Sequence, residues 1–335
     1  MKSRISYLAI GAVLVTLCVL PWFLPPYYVS LLTMVLIYGI FAMSMDILMG
    51  YAGLASLGHA TFFGTSAYIV AFLNVRLLHQ GGFSGFGIEL VSALCGALIV
   101  AAIFGLLVLH TRGIYFLMLT MALSMLLWGV TYKWYDVTGG SDGIRGISRP
   151  DLPFDISTGV AYFYFTLFFF VIASILMYLI VSSSFGRALL GIKQNELRMR
   201  SLGYNVWLYL YVAHLFAGLF AGLSGILFAY YNYFVSPISF HLVTSAEVML
   251  MTIMGGVGTL FGPLLGAGAI IFLKDIISTF SERWVMVMGV LYVLVIVFIP
   301  RGIYGSLRER SKWGGLSRFF IETRKTKRGG ETPEG

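Results

Sequence analysis

Four ionisable side chains stand inside or beside long apolar runs: Asp46, His59, His214 and Glu247. A charge there is costly and tends to face a water-filled cavity or a partner group. The chemistry on offer is the lining of a polar path for a solute or proton, or the hydrogen bonding of one helix to another. Asp46 and His59 flank Gly50-Tyr51-Ala52-Gly53-Leu54-Ala55-Ser56-Leu57-Gly58. Glu247 lies about two helical turns before Met254-Gly255-Gly256-Val257-Gly258. For His214, in a run with Gly218, Gly222 and Gly225, interhelical bonding is the preferred reading. For Asp46, His59 and Glu247 both readings stand. The path-lining candidates are therefore Asp46, Gly50, Gly53, Ser56, Gly58, His59, Glu247, Gly255, Gly256 and Gly258.

Enzymatic signatures are missing. The sequence contains no GxxxxGK[ST] nucleotide loop, no HExxH and no GxSxG. We assign no catalytic residue and no metal ligand. Cys18 and Cys95 both sit in apolar runs and read as small buried residues rather than a disulfide framework.

The elements that position these residues follow from composition. Of 335 residues, 59% are hydrophobic and 11% charged, and the mean hydropathy is +0.90. Ordinary soluble domains carry about 25% charged residues. Too few polar side chains exist to cover a soluble globule, and disorder needs the opposite balance. Charge-free runs separate Arg4 from Asp46, Arg200 from Glu247, and Asp155 from Arg187. Continuous runs of about 20 apolar residues are spanning helices, not the alternating strands of a barrel. The expected fold is an all-α polytopic transmembrane bundle with re-entrant or broken helices and about 8–10 membrane segments.

Spans are expected over 6–24, 28–49, 60–78, 88–109, 113–133, 160–182, 206–231 and 285–300. The first resembles a signal peptide but lacks a small-x-small cleavage site, so it reads as an uncleaved helix. The transmembrane unit covers 1–304, and a basic, flexible tail covers 305–335. Basic loops mark the cytoplasmic side. With a cytoplasmic N-terminus, His110–Arg112 and the loop 183–204 both fall inside, and the tail does so if 244–274 does not cross once. That segment is about 45 Å long as a helix, too short for two full spans of about 30 Å. Its glycines and Gly262-Pro263 favour a re-entrant pair of half-helices over one tilted helix. Met49-Gly50-x-x-Gly53 echoes Met254-Gly255-x-x-Gly258, which hints at two structural halves with a break in each. Gly218-x-x-x-Gly222 and Gly262-x-x-x-Gly266 suit close helix packing.

Two loops carry further signals. In 183–204, serines can cap a helix start and Gly203 can end it. Leu189, Ile192 and Leu197 form an apolar side, with Lys193, Glu196 and Arg200 on another. Such a helix could lie on anionic lipid or dock on a cytoplasmic partner. In 134–159, Gly, Asp, Ser and Pro imply turns, either a landing site for a soluble partner or a plain linker. The basic tail fits orientation and attraction to membrane lipid rather than nucleic acid.

Three stretches carry a family resemblance. They are Gly50 to Gly64 (GYAGLASLGHATFFG), Thr138 to Ile144 (TGGSDGI), and a set running from Gly186-Arg187-Ala188-Leu189 through Asn195-Glu196 and Leu202-Gly203-Tyr204-Asn205 to Ser236-Pro237 and Met254 to Pro263. In this order they resemble the branched-chain amino acid ABC transporter permeases of the LivM type. The family commonly has Asn near Asp46 and Gln where Leu54 or Ala55 stands, so path polarity differs here if those positions line the path. The resemblance implies a second homologous permease subunit, two ABC ATPase subunits that hold the ATP and Mg, and a periplasmic or lipid-anchored solute-binding protein. No cofactor belongs to this chain. It places the chain in the bacterial inner membrane with both termini cytoplasmic. It makes Gly186, Arg187, Asn195, Glu196, Arg200 and Gly203 candidates for contact with an ATPase, and Gly139, Gly140, Ser141 and Asp142 candidates for contact with the binding protein. Half-helix ends at the glycine breaks could meet the zwitterion, N-termini favouring its carboxylate. Urea or short-chain amide permeases of the same family remain an alternative, as does an ion-coupled secondary transporter. A receptor-like protein leaves the paired breaks unexplained, and an embedded enzyme lacks a catalytic set.

Overall fold

A computed structural model describes residues 20–77, 83–150 and 156–280, with 283, 286–290, 292–293 and 302 beyond them. The expected spans at 6–24 and 285–300 lie mostly outside the described residues, and the tail 305–335 wholly so.

Helix α1 (Pro26–Asp46) starts on a proline, where a missing N–H costs nothing, and runs on into a π-helical turn, Ile47–Ala52. After an irregular stretch, α2 (Ala60–Phe72) ends in a second π-helical turn, Leu73–Leu77. Then come α3 (Phe83–Val108) and α4 (Ile114–Lys133). A short α5 (Tyr135–Thr138) leads through a 3-10 turn to strand β1 (Ile144–Arg145). Helix α6 (Gly159–Ser182) is followed by α7 (Ser184–Gln194), α8 (Glu196–Ser201) and the long α9 (Val206–Asn232). Strand β2 (Phe234–Val235) pairs antiparallel with β1. Helices α10 (Leu242–Gly255) and α11 (Gly262–Phe280) complete the described bundle.

Among the described residues, six segments are long and apolar enough to cross a membrane: Pro26–Ala52, Gly85–Val108, Ile114–Lys133, Gly159–Ser182, Val206–Asn232 and Gly262–Phe280. The chain is a multi-pass all-α membrane bundle, with one two-residue strand pair among the described residues. Of these segments α1 and α9 are the most buried, while α4 and α11 keep most of their surface outside.

Small residues draw the central helices together. A side chain on Gly218 or Gly222 would collide with Ala101 or Ala97 of α3, the latter at 2.6 Å. Gly225 leaves room for the Phe63 carbonyl of α2. Close approach then lets polar side chains bridge helices: Ser224 Oγ donates to the Ile37 carbonyl at 2.7 Å, and Tyr162 Oη to the Leu227 carbonyl at 2.6 Å.

The segment 244–274 breaks where its glycines stand, but not into two halves. Helix α10 has 14 residues, about 21 Å. Helix α11 has 19, about 28 Å, and is long enough to span. The reason is positional: Pro263 is the second residue of α11, where proline is tolerated, so it starts a helix rather than interrupting one. The loop 183–204 also departs from expectation. It is two helices, because Asn195 leaves helical geometry and its side chain caps α8 through the Arg198 N–H at 2.9 Å. Leu197 then turns outward at 75% exposure instead of joining the buried Leu189 and Ile192.

Candidate functional site

The two glycine-rich breaks meet. Helix α1 ends in its π-helical turn, and Gly53 closes it at φ +77°. The turn 256–261 between α10 and α11 holds Gly256 at φ +117°, Gly258 at φ +81° and Leu260 at φ +43°. Left-handed backbone aims successive N–H groups the same way and forms an anion-binding concavity. Asp46 fills it. Its Oδ1 accepts from the Gly258 N–H at 2.6 Å and its Oδ2 from the Leu260 N–H at 3.1 Å. Asp46 is fully buried. Gly50, one turn on, has no room for a side chain: a Cβ would strike Asp46 Oδ1 and stand 2.6 Å from the Gly258 nitrogen.

Lys193 reaches the same place from α7. Its Nζ donates to the Gly50 carbonyl at 2.7 Å. Its Cγ lies 3.0 Å from where a Cβ of Gly53 would be, so the lysine stem runs across that turn. Lys193 keeps the exposure expected of the polar side of the loop, but it lies one helical turn beyond buried Leu189 and its Nζ reaches inward. That four-residue spacing from an apolar residue is the signal by which the sequence could have revealed it.

The irregular stretch 53–59 is held by neighbours that the sequence did not single out. The Leu57 N–H donates to Thr120 Oγ1 of α4 at 3.3 Å, and the Ala60 N–H to Ser245 Oγ of α10 at 2.9 Å. Ser56 Oγ accepts from the Gly58 N–H at 3.2 Å, and a Cβ on Gly58 would stand 2.6 Å from the Thr120 carbonyl oxygen. His59 Nε2 lies 2.8 Å from Ser44 Oγ, and its ring stacks on Phe41. The N-terminus of α2 is thus capped by protein.

Glu247 is not at the breaks. It pairs with Lys274 across the α10–α11 hairpin at 3.0 Å. Gly255 and Gly262 let that hairpin close, since a Cβ on Gly255 would strike the Gly262 carbonyl oxygen. Gly256 lies against Gly302. His214 is buried with its ring edge-on to Phe62, and neither ring nitrogen has a hydrogen-bond partner among the described residues. The expected interhelical hydrogen bond of His214 is therefore replaced by packing.

The loop pair α7–α8 forms a second centre. Ser183 Oγ caps α7 through the Phe185 N–H at 3.1 Å. Gly186 has no space for a side chain against the Val181 carbonyl. Glu196 accepts from Arg112 of the α3–α4 loop at 3.0 Å and 3.2 Å, and from Arg200 at 2.6 Å. The Arg112 hydrogen bond is the chief reason the Glu196 carboxyl is held below the usual carboxylate range. Gly203 ends the pair at φ +86°. Arg187, Leu197, Arg198, Arg200 and Leu202 face outward. Arg112 was visible in the sequence only as an orientation charge.

At the opposite end, Gly139, Gly140 and Gly143 all have positive φ, and Ser141 and Asp142 are exposed beside them. The segment is no plain linker: Thr138 Oγ1 bonds the Thr131 carbonyl at 2.6 Å, and β1 is zipped to the end of α9 through β2. Beneath it lies an apolar cavity of about 410 Å³, with Thr138 and Ile144 above and Tyr68, Phe72, Leu127 and Phe240 among its walls. Nearby, Glu89 accepts from Asn74 at 3.0 Å and from Tyr230, joining three helical segments.

Helix breaks whose irregular backbone packs largely against protein, beside a folded basic loop, are a construction that membrane transporters use. The chain belongs to the family described as branched-chain amino acid transport system / permease component, whose model matches residues 27–299. It is similar to the high-affinity branched-chain amino acid transport system permease protein LivM of Salmonella typhimurium, at 28% identity over 310 residues, covering 85% of this chain and 71% of that protein. The LivM protein of Escherichia coli K12 is 27% identical over the same length, with the same coverage. No solved structure matches the chain.

Proposed function

We propose that this chain is the permease subunit of an ATP-driven importer that moves branched-chain amino acids across the bacterial cytoplasmic membrane. It works with a second homologous permease, two ATPases that bind ATP and Mg, and a periplasmic or lipid-anchored solute-binding protein. Residues 1–304 form the permease unit, and 305–335 a basic cytoplasmic tail. Both termini face the cytoplasm, where the basic loops lie.

The observation that carries the reading is the construction of α7–α8. Two capped helices are locked to the α3–α4 loop by Glu196 and Arg112, yet leave Leu197, Leu202 and several arginines outward. That is a stiff lever with an unpartnered face, suited to an ATPase groove. Gly186, Asn195 and Gly203 shape it, and Arg187 and Arg200 border it. At the other end, Gly139 to Asp142 present a rigid turn to the binding protein. The apolar cavity below favours an aliphatic side chain over urea, which needs hydrogen-bond partners along its path. In the present arrangement Asp46 occupies the helix end expected to attract a substrate carboxylate, so the zwitterion is read elsewhere or after Asp46 moves.

The test is uptake of radiolabelled leucine into proteoliposomes holding the whole complex. ATP-dependent uptake that falls with Glu196→Lys, while the complex stays assembled, supports the reading. ATP-driven uptake of urea or amides alone would replace the substrate. Uptake driven by a proton or sodium gradient and indifferent to ATP would overturn the class.

A further inference from the structure

Helix α7 buries Ala188, Leu189 and Ile192 and packs the Phe185 ring on Tyr209 and Phe216 of α9, all apolar contacts. Such contacts are non-directional and allow sliding. Among the described residues, the other side-chain hydrogen bonds of α7 stay within 182–187. Lys193 is different. It donates into the last turn of α1, at the Gly50 carbonyl. Carbonyls at a helix C-terminus lack intrahelical partners, and a cation there is stabilising. On the far side of Gly50 stand Asp46 and the Gly258 nitrogen, close enough to exclude a methyl group. Asp46 in turn holds Gly258 and Leu260, directly before α11. The order of contact is therefore α7, Lys193, Gly50, Asp46, the turn 256–261, α11. Each link is a directed hydrogen bond or backbone contact, with no long flexible side chain beyond the lysine itself.

We propose that Lys193 is a positioning residue for transport: it is the strap by which α7 moves both glycine breaks as one unit. The inference rests on the reading of α7–α8 as the ATPase contact. The two charges complement the two helix ends they face. Asp46 meets the N-terminal side of α11, and Lys193 meets the C-terminal end of α1. A shift of α7 that draws Lys193 from Gly50 removes the cation from the turn that Asp46 shares with Gly258. The unit then has two discrete arrangements, clasped and released, which is what coupling between distant sites requires.

The test uses the full complex and two readouts. The first is amide hydrogen exchange of the segment 256–261. Lys193→Met is expected to speed that exchange about tenfold, the scale of one lost charged hydrogen bond. Lys133→Met, at the far end of the bundle, is expected to leave it unchanged. The second is leucine taken up per ATP hydrolysed. Lys193→Met is expected to lower that ratio about tenfold while hydrolysis stays within about twofold of wild type. Lys193→Arg, which keeps the donor, is expected to restore at least half of it. Unchanged exchange in Lys193→Met overturns the strap, whatever solute is carried. So does a wild-type transport ratio in that variant, or an arginine variant as poor as the methionine one. Failure of wild type to take up leucine with ATP would instead sink the proposed function, while the exchange measurement still judges the strap.

Discussion

The two glycine breaks look alike in sequence and behave as opposites. The first, around Gly50 and Gly53, offers acceptors: the Asp46 carboxylate and the Gly50 carbonyl. The second, around Gly256 and Gly258, offers donors: the N–H groups of Gly258 and Leu260. The first keeps helical hydrogen bonding through a π-helical turn, and the second abandons it for left-handed backbone. Their echo therefore reports complementarity. Asp46 of the first break satisfies the backbone N–H groups that the second leaves, and Lys193 satisfies the Gly50 carbonyl that the first leaves, which is the condition for irregular backbone inside an apolar bundle. Glycine serves both, by close approach at Gly50 and by positive φ at Gly258.

The sharpest way to break this complementarity is Asp46→Ala. It strands the buried Leu260 N–H and the partly buried Gly258 N–H, each costing up to about 1–3 kcal/mol. We expect a loss of roughly 2–6 kcal/mol in stability, read by thermal unfolding in detergent, with uptake abolished. Asp46→Asn keeps one good acceptor and is expected to retain part of both. Gly255→Leu comes next. A Cβ there meets the Gly262 carbonyl and lies 2.6 Å from the Pro263 nitrogen, backbone atoms that cannot swing aside. Overpacking of this kind costs about 1–3 kcal/mol. Gly53→Ala meets only the flexible stem of Lys193, so its cost is the left-handed backbone, about 1–2 kcal/mol. If Gly255→Leu transported normally while Gly53→Ala did not, the second break would not be the tightly closed turn described.

How much of this was legible beforehand differs between the parts. The runs 26–52, 83–108, 114–133, 159–182 and 206–232 were, because an apolar run of spanning length has one stable outcome in lipid. The positions of the breaks were also legible, since glycine and proline act locally. The partners were not. Asp46 finds Gly258 from 212 residues away in the chain, and Lys193 finds Gly50 from 143 away. Periodicity placed Lys193 with Glu196, although Asn195 ends the helix between them and resets the face that follows. The α10–α11 break was legible, but the full length of α11 was not: Pro263 reads as a breaker until its place at a helix start is known. Pairing of Glu247 with Lys274 needed the hairpin first.

A smaller effect is expected at Glu196, which sharpens the contrast between buried and exposed clasps. Its ion pairs with Arg112 and Arg200 are partly exposed, so their contribution is about 0.2–1 kcal/mol. The carboxyl is depressed in the folded state. Its stabilisation is therefore complete above the ordinary carboxylate value and is lost only as pH falls through the lower folded one. Uptake should show no transition from Glu196 between about pH 5 and 8, above the ordinary glutamate range. Glu196→Gln should mimic the acid state at neutral pH, lowering uptake severalfold with assembly intact. A titration near neutrality that vanishes in Glu196→Gln would contradict the ion-pair geometry.

The smallest effect on stability is expected from removing both charges of the pair whose acid most resembles Asp46 on paper. Glu247 is also an acid in an apolar helix near a glycine break, yet it faces a lysine rather than backbone. Removing Lys274 alone leaves an acid that is only 14% exposed without that cation, so Lys274→Met should destabilise measurably. Removing both charges with Glu247→Gln and Lys274→Met should return stability to within about 0.5 kcal/mol of wild type, because replacing a partly buried pair is often neutral. Transport then decides what Glu247 is for. If it only joins α10 to α11, the double variant takes up leucine at the wild-type rate. If it lines the path, uptake falls although stability is restored, and the acid that the structure ties to a lysine in this arrangement must be released in another.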